Sequence, residues 1–408
     1  MLQLNPDPSF HFELLRVIAG ARGLGADVGE VLNVCEKIVP GDFESWYREF
    51  RDLGAWVEST IDEDRDDKVS LRDAYWRASR YHFASAFFFQ KESEDDRAST
   101  IFDRWRALFQ KGTRHMEIPP EYLTLNADGF QIPVILFKCA TDDKPRPVLI
   151  IGNGLDGSME EMFHMNGIQA LERGYHVVLY EGPGQPSVRR AQNIGFIHDW
   201  ERVVTPIVDH LQSLSYVQSN QITLFGNSLG GYLAARAAAF EQRLAAVILV
   251  DGLYDLGDGL DDMYGSEILK IYQEGDQEGF NNAAIALTKK STKLSFLINQ
   301  ISWAFMLDPY QAHQVCKKMS LRGIEDKIKC PVFIAGAEND IFDKIDQPGA
   351  VKAALSHLGE RATLKRFTAQ EAADAHCHVG ATAFSNQVIL GWLETQLGAT
   401  SVVNGHGH

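Results

Sequence analysis

What this chain has little of narrows its class first. Cysteine is sparse: Cys35, Cys139, Cys316, Cys330 and Cys377 are five in 408 residues, an odd number, widely scattered and without a C-x-x-C pair. That spacing argues against a disulfide framework and against a structural zinc site. Positive charge is also short, with 39 Lys and Arg against 55 Asp and Glu for a formal net charge of −16. A surface so acidic repels phosphate backbones and anionic lipid, and no local basic patch offsets it, so nucleic acid and membranes are not expected partners. Long apolar runs are missing as well. No stretch reaches the roughly 18 residues of a membrane span, and the start MLQLNPDPSFHFELL lacks the basic and apolar regions of a secretory signal. The expectation is a soluble, intracellular (cytoplasmic) protein. What remains is ordinary globular usage, 45% hydrophobic and 23% charged, which excludes disordered, collagenous and coiled-coil classes.

Apolar periodicity divides the chain. Up to residue 115, VGEVLNVCEKIV, FESWYREFRDLGAWVEST and VSLRDAYWRASRYHFASAFFF carry aromatic and aliphatic residues at three- and four-residue spacing, predicting a helical block with an aromatic inner face. After Pro119 and Pro120, YLTLNADGFQIPVILFK reads as two strands joined by a turn. From there to residue 397, PVLIIGNG, YHVVLYEGPG, QITLFGNS, LAAVILVDG and CPVFIAGAEND alternate with helix-length segments. Continuous apolar strands between helices predict an α/β fold with a mostly parallel, doubly wound sheet covered on both faces. The stretch 252–328 reads as a helical insertion over the sheet edge or part of a lid, and 398–408 as a frayed tail.

The densest chemical signal is QITLFGNSLGGYLAARAAAF. The G-x-S-x-G spacing around Ser228, with a strand entering and an Ala-rich helix leaving, matches a tight turn that lifts a nucleophilic hydroxyl above a sheet. Leu229 N–H, at the helix amino end, is then one oxyanion donor. The loop IIGNGLDGSMEEM offers the second from the amides of Leu155 and Asp156, since Gly152, Gly154 and Gly157 permit close approach. An acid and a base should follow in that order. CPVFIAGAENDIFD offers Asp340 and, as second choice, Asp343; AADAHCHVGA offers His376 ahead of His378. Three adjacent residues, His376, Cys377 and His378, wrap a tetrahedral ion poorly, so no metal and no cofactor are expected. Glu181, at the tip of VVLYEGPGQPS, is read as an anchor for the nucleophile turn or a substrate-orienting group, and Asp251, Tyr254 and Asp255 as mostly structural.

GNSLGGYLAARAAAF, LYEGPGQ, GNGLDGSMEEM and the Asp340-to-His376 segment resemble the α/β-hydrolase superfamily. More narrowly they resemble the branch with a long N-terminal helical domain that includes dihydroxypseudooxynicotine hydrolase and the fungal yellowish-green pigment-pathway hydrolases. The similarity covers about residues 115–397, and the helical block matches the branch in position and size. The resemblance implies a triad of Ser228, Asp340 and His376, a cap made of the N-terminal helices that also dimerises, and cleavage of a C–C bond beside a ketone, as in retro-Claisen trimming of a polyketide. His378 departs from that branch, where Gln is usual, and keeps the choice between the two histidines open. An aromatic cap surface of Trp46, Tyr47, Tyr75, Trp76, Phe87, Phe88 and Phe89 would suit a flat, apolar substrate, although ordinary helix packing is the commoner role for any one of them. An esterase, thioesterase or acyltransferase with the same triad, and a cyclase or binding protein on the same scaffold, remain alternatives.

Overall fold

The computed structural model describes residues 2–89 and 96–398; the expected tail, Gly398 apart, lies outside the described residues. Five helices come first: α1 (Pro8–Ala19), α2 (Val28–Cys35), α3 (Phe43–Ser59), α4 (Lys68–Ala86) and α5 (Asp96–Thr113). The first four each start behind an aspartate, Asp7, Asp27, Asp42 and Asp67, whose carboxylate accepts the first free backbone N–H groups. Their inner faces form a core of their own around Phe10, Trp46, Phe50 and Tyr81.

An eight-stranded sheet follows, built from β1 (Glu121–Ala127), β2 (Phe130–Phe137), β3 (Arg146–Gly152), β4 (His176–Tyr180), β5 (Val217–Asn227), β6 (Ala246–Val250), β7 (Val332–Ala337) and β8 (Ala362–Phe367). The strand order is β1-β2-β4-β3-β5-β6-β7-β8. Pairs β1/β2 and β2/β4 are antiparallel, and the rest are parallel. The first hairpin closes Ala127 onto Phe130 through Asp128 and Gly129, where a φ of 87° suits glycine. Crossovers are right for parallel pairing because each supplies a helix. Behind β3 come α6 (Met159–Met162), a π-helical turn and α7 (Ile168–Glu172). Then follow α8 (Pro186–Gln192), α9 (Glu201–Gln212) and α10 (Leu229–Phe240). Between β6 and β7 the chain leaves the sheet for α11 (Leu256–Gln273), α12 (Gln277–Thr288), α13 (Thr292–Phe305) and α14 (Pro309–Cys316). It returns to α15 (Gln347–Ala354) and α16 (Thr382–Leu397).

Alternate strand residues feed two cores, Val148, Ile150, Leu224 and Leu249 on one face and Leu149, Ile151, Phe225 and Ile248 on the other. The helical block joins both neighbours. Trp76 and Phe109 pack on Phe163 beside the sheet, and Phe87 stacks on Phe296 of α13 at 4.7 Å between ring centres. This decides between the two roles open to the aromatic stripe. The aromatic stripe does not face a substrate: Trp46 and Phe88 pack with Phe10, Tyr47 with Phe89, and Tyr75 stacks on His115. None of its residues lines the main cavity, because burying a helix's large apolar face against its neighbours is what makes the block fold.

Candidate active site

Ser228 sits between β5 and α10 with φ 58° and ψ −128°, a region that costs a non-glycine residue of order 1–3 kcal/mol. The surroundings hold it there. Its N–H donates to Val250 O at 2.9 Å, and its carbonyl accepts from Gly231 N at 2.8 Å. The flanking glycines are required sterically: a Cβ on Gly226 would lie 1.9 Å from Gly230 O, and one on Gly230 2.6 Å from Asn153 O. Gly154 presses onto the same turn, where a Cβ would come within 3.0 Å of both Leu229 N and Ser228 Cβ.

Ser228 Oγ lies 2.8 Å from His376 Nε2, and His376 Nδ1 lies 2.6 Å from Asp340 Oδ2. Asp340 is fixed in turn by accepting Phe342 N at 2.7 Å through its other oxygen. Burial disfavours charge on both partners. The Asp340 carboxylate nevertheless raises the His376 pKa well above the imidazole value, with help from the Cys377 side chain, while His376 holds Asp340 below the usual carboxylate range. Such a relay can accept the Ser228 proton and stabilise the imidazolium that results.

The alternatives separate by position. His378 turns away: Nδ1 meets Ala373 O at 2.9 Å, and the ring packs 4.2 Å from that of Phe367. Burial lowers its pKa to about 4. Asp343 does not touch His376; its carboxylate accepts Ile345 N and Gln347 N at the start of α15. Glu181 also requires correction. Its carboxylate receives Asn153 Nδ2 at 3.2 Å, Met159 N at 3.0 Å and Ser187 N at 2.7 Å. It therefore anchors the loop after β3, not the nucleophile turn, and does not line the cavity.

Sequence reasoning underrated Asp251 and did not bring the N-terminal helix α1 to the site. Asp251 Oδ2 accepts Cys377 N and lies 3.4 Å from His376 Nδ1; burial, then the neighbouring Asp340, raises its pKa to about 7. Asp251, His376 and Cys377 place ligand-type atoms within 4.8 Å of one another. Both His376 nitrogens are engaged, however, by Ser228 and Asp340. From α1, Phe12 and Arg16 reach the cavity. Asp7 followed by Pro8 marks where α1 starts, though not where its side chains would land.

The cavity above Ser228 measures about 330 Å³, the lower end of small-molecule sites. Its walls are mainly apolar, with Leu256, Leu260, Leu297 and Ile301 from the insertion, Phe12 from α1 and Phe342 beside Asp340. Leu155, Asp156 and Leu229 also border it.

Residues 148–380 match the model of the Alpha/beta hydrolase family, and the chain belongs to that family. It is similar to Hydrolase acrC of Aspergillus aculeatus, with 30% identity over 97% of this chain and 98% of that protein. It is likewise similar to the 20-hydroxy-prefusarin hydrolase FUS2 of Gibberella moniliformis, with 29% identity over 97% of this chain and 94% of that one. Among solved structures, 2,6-dihydroxy-pseudo-oxynicotine hydrolase aligns over 95% of this chain and 97% of its own with a TM-score of 0.69 at 21% identity. That coverage extends the shared fold to the N-terminal helices.

Proposed function

We propose that this protein is a serine hydrolase that cleaves a C–C bond beside a ketone in a polyketide or related secondary metabolite. The observation that carries the reading is the hydrogen-bonded run Ser228–His376–Asp340 at the base of an apolar cavity. Ser228 Oγ attacks the ketone carbon as its proton passes to His376 Nε2, with Asp340 stabilising the imidazolium. Leu229 N–H and the Leu155 N–H of the loop after β3 receive the oxyanion. Collapse breaks the C–C bond; the leaving carbanion takes the proton back from His376, and water then hydrolyses the acyl-enzyme. Carbon leaves only when its charge is delocalised, so a 1,3-dicarbonyl substrate, whose leaving group is an enolate, is the class required. The resemblance to the helical-cap branch supports this class, and the relative FUS2 is named as a hydrolase of 20-hydroxy-prefusarin.

The five free thiols fit an intracellular setting. A homodimer through the N-terminal helices is part of the same reading, supported by exposed Val28, Leu32, Trp56 and Val69 on that block. Sedimentation at micromolar concentration should give twice the chain mass, and a monomer would remove that element.

Product analysis separates this reading from an esterase. Incubation with β-diketones and with aryl esters should release both fragments of a diketone, with Ser228→Ala inactive on either substrate. Turnover of esters alone would replace C–C cleavage by ester hydrolysis, and an active Ser228→Ala would remove the triad.

A further inference from the structure

The loop from Asn153 to Gly157 is gripped from three directions, and two of the grips come from outside the sheet domain's own strands and crossover helices. Beneath it, Gln185, fully buried, donates from Nε2 to Asn153 O at 2.9 Å and Gly154 O at 3.2 Å. In a trans peptide the carbonyl and the next N–H point opposite ways, so this bond turns Leu155 N–H away from the interior. Above it, Gln300 of α13, itself 2% exposed, donates from Nε2 to Leu155 O at 3.1 Å and fixes the next peptide plane, that of Leu155 and Asp156. From the side, Arg16 of α1 pairs with Asp156 at 3.1 Å. It also makes a two-pronged contact with Glu161, at 2.7 and 2.6 Å. Arg80 of α4 holds the same Glu161 at 2.7 Å, so Arg16 is braced and not free to follow the loop.

We infer that Gln300 and Arg16 are positioning residues for the oxyanion loop, so that both helical additions complete the active site as well as covering it. The inference rests on the proposed acyl-transfer reading and deepens it. Neither side chain touches the reacting atoms. Gln300 sets the tilt of one peptide plane and Arg16 the placement of the next residue. An oxyanion donor acts only when it is aimed at the oxygen as charge develops, so a loop freed at Leu155 O should lose transition-state binding more than ground-state binding.

The test uses p-nitrophenyl acetate as substrate and an aryl trifluoromethyl ketone, which adds to the serine hydroxyl as a charged hemiketal, as the probe of oxyanion binding. Gln300→Leu should lower kcat by roughly 10- to 100-fold and weaken the trifluoromethyl ketone in the same proportion, with KM changing by less than threefold. Gln300→Glu, which sets a carboxylate against Leu155 O, should be worse. Asp156→Asn keeps the backbone amide but weakens the Arg16 link at a 22% exposed side chain. It therefore tests the same idea should Gln300 variants not fold, with a smaller parallel loss expected. Inhibitor affinity and kcat within twofold of the parent in these variants, with Ser228→Ala inactive, would overturn the inference alone. An active Ser228→Ala would instead overturn the acyl-transfer reading beneath it.

Discussion

His376 and His378 are two residues apart in one short turn, yet their surroundings assign them different work. His376 bridges Ser228 and Asp340, whereas His378 is packed against Phe367 and kept neutral by burial. His376→Ala should therefore reduce turnover by about 10⁴-fold or more, as removal of a triad base does. His378→Gln should stay within a few-fold of the parent in kcat; equal losses in steady-state assays of the two variants would contradict the assignment. Cys377 divides them with a φ of 53°, and its N–H is held by Asp251. That backbone geometry points consecutive side chains apart. Residue type and order could not reveal it, since both histidines follow the acid and precede the last helix.

At the scale of elements, the parts with a local signature were legible. The turn at Ser228 was, because a strand, two obligatory glycines and an Ala-rich helix leave one steric solution. Gly226→Ala should cost roughly 3 kcal/mol or more and abolish activity together, since its Cβ would overlap Gly230 O; a denaturant midpoint near that of the parent would contradict this. The parallel strands were legible from their unbroken apolar runs. The aromatic stripe was legible as a buried face but its partners were not, because helical periodicity tells that a face is buried but not against what. Arg16, Phe12 and Gln300 were missed for a related reason. Arg16 meets Glu161 across 145 positions of sequence, and Gln300 meets Leu155 across the same distance. Such contacts leave no mark in any local window. The seam between α13 and the N-terminal helices carries a further test. Phe296 stacks on Phe87 and is 8% exposed, so Phe296→Ala should destabilise the fold by about 3–5 kcal/mol, read as a fall in chemical-denaturation free energy. A change under 1 kcal/mol would mean that the seam contributes little.

Across the whole molecule, the N-terminal helices and the sheet domain meet at one buried charge cluster beside the cavity. Glu13 faces Arg16 on its own helix, Arg80 on α4, Asp156 on the loop and Glu161 on α6, and burial lifts its pKa to about 8. The folded pKa exceeds the unfolded 4.5, so the folded state keeps a proton that the unfolded chain releases. Stability contributed by this group is complete below pH 4.5, falls between pH 4.5 and 8, and is constant above that window. Glu13→Gln should flatten the decline by at most about 1.4 kcal/mol per pH unit, as measured by urea unfolding across the window; an unchanged slope would place Glu13 outside the linkage. The central claim concerns bond cleavage at Ser228, and intact-mass spectrometry of the enzyme quenched during turnover of a β-diketone tests it most directly. The account requires a mass increase equal to the acyl fragment, located on Ser228 by peptide mapping, while the ketone fragment accumulates in solution. Diketone cleavage with no adduct on Ser228 under rapid quench, and with full activity in Ser228→Ala, would contradict it.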